Sequence, residues 1–213
     1  MNASFADFED RLLPSLPGAT RPAAMQAFYD AARTFFRRTR VWRTTLGAFT
    51  IREGEDTIPL NPVDQNTTIC FVEAYQAANS AGLHVLNSDR NGLANVSFFG
   101  QSHTLTVEDP HTVRIYPVPA QTFERALWIE CSVQPAPGVD FLPPEALTHF
   151  ADALEAGCLS RMFKQPAKPY SNPAQAIFEA RRFEAEISRA KGNQSTNYGQ
   201  RMTPWRFPTV SMR

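Results

Sequence analysis

The stretch Ala31-Ala32-Arg33-Thr34-Phe35-Phe36-Arg37-Arg38-Thr39-Arg40-Val41-Trp42-Arg43-Thr44 is where the hydrophobic period of this chain changes. Upstream, Met25, Phe28, Ala32 and Phe35 recur at steps of 3, 4 and 3, the spacing of one helical face. Pro22 suits a first helical position, so the spacing predicts a helix from about Pro22 to Trp42. Before it, Phe5, Phe8 and Leu12 align in a short amphipathic turn that stops at Pro14.

From Thr44 to Asp140 the helical period is gone. Thr67–Tyr75, Leu83–Asn87, Ala94–Phe99, His103–Val107, Thr112–Tyr116 and Leu127–Val133 are short runs rich in β-branched and aromatic residues. Turn chemistry such as Asp89-Arg90-Asn91-Gly92 and Asp109-Pro110 separates them. Short strands at such intervals predict a small antiparallel sandwich or barrel.

Helical spacing then returns twice. Leu147, Phe150, Leu154, Cys158 and Met162 form a stripe from Pro143 to about Phe163. Asn172-Pro173-Ala174-Gln175 is a capping arrangement that opens a last helix, with Ile177, Ala180 and Ile187 along one face and Gly192-Asn193 at its end. The expected class is α+β: a helical bundle of one N-terminal and two C-terminal helices, from residues 1–43 and 141–192. An inserted antiparallel β-sandwich or barrel occupies 44–140, and an extended C-terminal arm occupies 193–213.

That arm has no period of its own, yet it carries Tyr198, Trp205 and Phe207 among Arg201, Arg206 and Arg213. A disordered tail normally lacks such aromatics. Docking on a partner or neighbouring subunit is the expectation, with folding back onto its own chain as the alternative.

The whole chain has 213 residues, is 43% hydrophobic and 20% charged, and is formally neutral. That balance excludes a simple polycation that coats nucleic acid or membrane through bulk charge. The charge is segregated, however: residues 1–160 sum to −7 and residues 161–213 to +7. Eighteen of the 21 basic residues are arginine, which a GC-rich genome explains as well as selection for bidentate contacts does.

The sequence offers little for catalysis. Cys70, Cys131 and Cys158 are odd in number and widely spaced, fitting neither a disulfide framework nor a zinc site. The four histidines form no H-x-x-x-H, and the glycines form no phosphate-cradling loop. Glu53-Gly54-Glu55-Asp56 reads as a solvated turn. Acidic residues near Met1 and the absence of a long apolar run lead us to expect a protein made in a reducing cytoplasm, with no metal, no cofactor and no membrane partner.

What stands out is the arginine cluster at the end of the first helix: Arg33, Arg37, Arg38, Arg40 and Arg43, with Trp42 among them. Cations there complement the helix macrodipole, but five exceed what capping needs. Subunit salt bridges or a facing polyanion are the two readings left.

Leu16-Pro17-Gly18, Pro22 and the helix from Ala31 to Arg43 resemble the opening of tailed-bacteriophage head-to-tail adaptor proteins. Phe141-Leu142-Pro143-Pro144-Glu145, the segment Ala156-Gly157-Cys158-Leu159-Ser160-Arg161-Met162, and Pro169-Tyr170-Ser171-Asn172-Pro173 resemble the later part of that family. Tyr170 stands where Trp is commoner, and Phe36 where many relatives have Cys. The likeness covers roughly residues 15–43 and 140–192.

It implies a structural, non-enzymatic protein of the virion neck: a homo-oligomeric ring, twelve-fold in the family, between the portal protein and the tail or tail-completion proteins. Packaged double-stranded DNA would pass through the ring. Arg33 to Arg43 would then serve subunit contact or the channel wall, and Tyr198 to Arg213 the docking arm. A tail-completion or tail-tube-end protein is the nearest alternative. A Cys–His hydrolase and a nonspecific DNA-binding module are alternatives of other classes.

Overall fold

The computed structural model describes residues 4–62, 64–78, 84–85, 94–98, 101–140 and 142–195. The first element, α1 (Ala6–Leu12), runs into a 3₁₀ turn at Leu13–Ser15, and α2 follows (Arg21–Thr39). Eight strands come next: β1 (Arg43–Ile51), β2 (Thr57–Pro59), β3 (Thr67–Ala77), β4 (His84–Val85), β5 (Ala94–Phe98), β6 (Gln101–Asp109), β7 (Thr112–Tyr116) and β8 (Phe123–Pro135). Three helices close the described chain: α3 (Glu145–His149), α4 (Ala151–Met162) and α5 (Pro173–Ser195).

The strands form two four-stranded antiparallel sheets, ordered β1-β8-β3-β4 and β2-β7-β6-β5. Leu46, Ile69, Ile129 and Cys131 from the first sheet join Val96, Leu105, Val113 and Ile115 from the second in one hydrophobic cluster. A second cluster lies among the helices and takes residues from Phe5 to Ala190. Trp42, in the short link between α2 and β1, packs against both. The link is also held by the Val133 amide, which donates to the Trp42 carbonyl at 2.9 Å.

These elements correct the expected helical bundle with one N-terminal and two C-terminal helices. Among the described residues five helices, two before the strands and three after, share a mixed fold with two antiparallel sheets. The additional N-terminal helix forms because tertiary burial outweighs its short length. Phe8 and Leu12 are fully buried, and Phe8 and Phe28 sit with ring centroids 4.7 Å apart. The Phe5 amide donates to the Tyr29 hydroxyl at 2.9 Å, tying the start of α1 to α2.

The segment expected as one helix from Pro143 to Phe163 is two. At Phe150 (φ −124°, ψ 9°) the chain leaves helical geometry, and the ring lies 5.1 Å from Phe35 and 6.3 Å from Phe36. Leu147, expected in the apolar stripe, is left 42% exposed on α3. By contrast α4 buries nine of its twelve residues, because it lies between α2, α5 and α1 and has almost no solvent side. At Gly157 its neighbours leave no room for a side chain. A Cβ there would come within 2.9 Å of Ala31 and 2.8 Å of Phe183.

The start of α5 follows its capping pattern: the Asn172 side-chain oxygen accepts from the Gln175 amide at 3.1 Å. Its buried face is set by Ala176, Phe183, Ile187 and Ala190, about one position round from the expected stripe, so Ile177 is 56% exposed. The extended arm with Tyr198, Arg201, Trp205, Arg206, Phe207 and Arg213 lies outside the described residues, as do Leu83, Asn87 and Phe99 of the expected strands.

Candidate functional site

The arginine cluster sits where the helical and β parts of the chain meet. Helix α2 ends on Arg40 in the left-handed region (φ 57°, ψ 26°), with its amide donating to the Phe36 carbonyl at 2.8 Å. A non-glycine residue there is uncommon, and the Arg40 carbonyl is held from outside the helix. It accepts from Gln194 on α5 at 3.0 Å and from Arg43 at 3.4 Å. Cap, strand start and the end of α5 therefore converge on one peptide group.

Four of the five arginines are answered by carboxylates of the same chain. Arg33 pairs with Asp30 one turn back on α2. Arg38 makes a two-pronged contact to Glu184 on α5, at 2.5 and 2.7 Å. That pair is exposed, so its net stabilisation is ~0–1 kcal/mol. Arg40 reaches Glu73 of β3 at 3.6 Å and lies over the Phe71 ring, 4.0 Å from its centroid. Arg43 meets Glu130 of β8 at 2.9 Å.

Glu73 and Glu130 are only 15% exposed, so the Arg40 pair fastens the helix end onto the first sheet, and the Arg43 pair ties β1 to β8 within that sheet, each more firmly than a solvated pair would. Arg37 differs: it is exposed and has no carboxylate within 4.0 Å among the described residues. Trp42 is structural in the same sense as its neighbours, its indole 5.3 Å from the Phe36 ring.

The Arg38–Glu184 contact also sets its own acid–base behaviour. The hydrogen bond from Arg38 holds the Glu184 carboxyl below its usual range, and the same bond raises the Arg38 guanidinium.

Apolar surface is left open elsewhere. Ile177 (56% exposed) and Phe178 (60%) are consecutive on the outer side of α5, ahead of exposed Arg181. Phe71 remains 37% exposed beneath Arg40.

The cysteines are not arranged as nucleophiles. Burial pushes the Cys131 and Cys158 thiols up to about 12, and that of Cys70 up to about 11 against the pull of Arg37 and Arg40. A nucleophilic cysteine needs the opposite shift. His103 is a packed core residue: its Nδ1 is 3.0 Å from the Pro117 carbonyl, and its ring lies tilted against Phe98 and edge-on to Phe123. Among the described residues, no cluster of three or more His, Cys, Asp or Glu side chains is placed to hold a metal, and no helix is long and apolar enough to cross a membrane.

One feature the sequence reading passed over is the run from Thr44 to Ile51, which forms the edge strand β1. With β2 it borders a groove of about 370 Å³ lined by Phe49, Ile51, Glu55, Thr57, Ile58 and Pro59. The alternation of Leu46, Phe49 and Ile51 was a faint signal, interrupted by Gly47 and by breaks in register after Leu46 and Phe49. Compared with known proteins, the chain matches no protein-family model and no curated sequence.

Proposed function

We propose that this chain is a structural protein of the virion neck, a head-to-tail adaptor that assembles as a ring between portal and tail around the DNA exit path. One observation carries the reading. The two stretches that resemble the adaptor family, about 125 residues apart in sequence from Ala31 to Gly157, pack side by side, with Ala31, Gly157 and Phe183 joining α2, α4 and α5. Apolar residues of both stretches thus pack into one helical core, as a shared scaffold would require.

The surface is consistent with assembly through packing and charge. Ile177 and Phe178 supply an outward apolar patch, and Arg37 a cation with no internal carboxylate among the described residues. The remaining cluster arginines are engaged within each subunit, Arg33 and Arg38 among the helices and Arg40 and Arg43 at the junction with the first sheet, so the contacts to neighbours fall to Arg37, the α5 patch and the C-terminal segment.

Negative-stain imaging of the protein mixed with its portal tests the proposal. Rings of the portal's symmetry capping the portal are expected. The absence of any complex refutes the adaptor reading.

A further inference from the structure

We infer that two copies of the chain form a two-fold dimer through their β parts, the Tyr116-Pro117-Val118 tip of each entering the groove between β1 and β2 of the other. This contact uses surfaces that the neck reading leaves unassigned, and it does not rest on that reading.

Tyr116 is 72% exposed, the most of any large hydrophobic side chain among the described residues, and Val118 is 48% exposed. With exposed Pro117 between them, three apolar residues in a row face solvent. A loose loop loses entropy when it docks, but this one is already fixed. Tyr116 pairs with Thr104 of β6. The buried His103 donates from Nδ1 to the Pro117 carbonyl at 3.0 Å. The Gly54 amide donates to the Pro119 carbonyl at 3.0 Å, and Pro119 is itself buried. These anchors make the tip a rigid knob, and a preorganised aromatic is the favoured form of an interface anchor. They also account for a histidine in an apolar core.

The recess that fits the knob lies beside it. The turn of residues 52–56 that holds Pro119 also joins β1 to β2, so knob and groove share a border. The groove, of about 370 Å³, has the buried Ile51 and Ile58 as its floor, with Phe49, Thr57 and Pro59 around them. A projection and a recess side by side complement themselves under a two-fold rotation, which sets each against its counterpart on the other copy. Charge on the border does not oppose this, because Arg52 pairs with Glu55 and Arg114 with Asp56. A tyrosine brings ~150–250 Å² to such a contact. With Val118 and the groove walls, two contacts cover about 1,000 Å², the lower limit of specific interfaces and the range of reversible ones.

Sedimentation equilibrium of the full chain, without portal and from micromolar to millimolar concentration, tests this. A monomer–dimer equilibrium that survives high salt is expected, since the contact is apolar. Tyr116→Ala removes the knob and Thr57→Arg fills the groove, and each should weaken the dimer at least ~tenfold. Both side chains are exposed, so neither change disturbs the core. Mixed together, the two variants keep one intact contact and should dimerise more than either alone. In a Cys70→Ser background, Val118→Cys protein mixed with Thr57→Cys protein should form the mixed disulfide in preference to either self-pair. A monomer at every concentration, polymers that grow without limit, or a dimer dissolved by salt would overturn the proposal. So would variants that dimerise like the parent, or a mixture without the mixed disulfide.

Discussion

Replacing Gly157 by alanine puts one methyl group into a helix crossing with no room for it. Two effects compete. Alanine is favoured over glycine inside a helix by ~0.8–1 kcal/mol, which alone would stabilise α4. The new Cβ, however, would lie 2.9 Å from the Ala31 Cβ and 2.8 and 3.0 Å from two atoms of the Phe183 ring. The Ala31 Cβ is fixed to the α2 backbone and cannot swing aside. Phe183 is 5% exposed and has little room to turn.

Overpacking of a filled core costs ~1–3 kcal/mol, and contact on two opposing sides places this site in the upper half of that range. The net expectation is a loss of ~1–2 kcal/mol, or ~2–8 °C in Tm for a chain of this size. Gly192 is the internal control, since among the described residues nothing lies within 4 Å of its would-be Cβ. Gly192→Ala should leave stability unchanged or raise it by up to ~1 kcal/mol. Thermal and urea melts of the two variants beside the parent decide the matter. A Gly157→Ala protein as stable as the parent, or more so, would refute the close-crossing argument.

Two further outcomes follow from the charged and thiol groups. At pH 8 a thiol reagent should modify Cys131 and Cys158 slowly in the folded protein and rapidly in denaturant, because burial holds both protonated up to about 12; fast labelling of the native chain contradicts this burial. The folded state favours the protonated thiols, so this contribution is complete below the ordinary thiol range and declines as pH rises above it. Glu184 has the opposite sign, since its carboxyl is held below the usual range by Arg38: the contribution is present above that range and lost as pH falls through the depressed value. Both partners are substantially exposed, so Glu184→Gln should cost less than ~1 kcal/mol, and less still in high salt; a larger, salt-insensitive loss in a urea melt would show the pair is shielded.

What the sequence discloses here is local. The apolar spacing of Phe28, Ala32 and Phe35 and the Asn172-Pro173 start of α5 are patterns within a few residues, and they foretell helices that the structure contains. Features that depend on distant partners were not legible. The 5–13 segment reads as a turn because seven residues are too few for an isolated helix, and only Phe28 and Tyr29 across from it make the helix worth forming. Ile177 and Phe183 are equally apolar, and which of them faces inward is decided by the position of α4. The arginine cluster was visible as composition, but its carboxylates, Glu73, Glu130 and Glu184, lie 33 to 146 residues away along the chain. The β1 edge went unread because Gly47 and two register breaks interrupt its alternation.

Trp42 gives the molecule a property that neither core has alone. Its ring contributes to the packing of both clusters while its carbonyl is bonded into β8, so neither set of contacts can dissolve without exposing the same indole. The two parts are therefore thermodynamically coupled, and heat should melt them in one cooperative transition. A residue shared at the junction leaves no step at which helices or sheets could loosen while the other part stays packed.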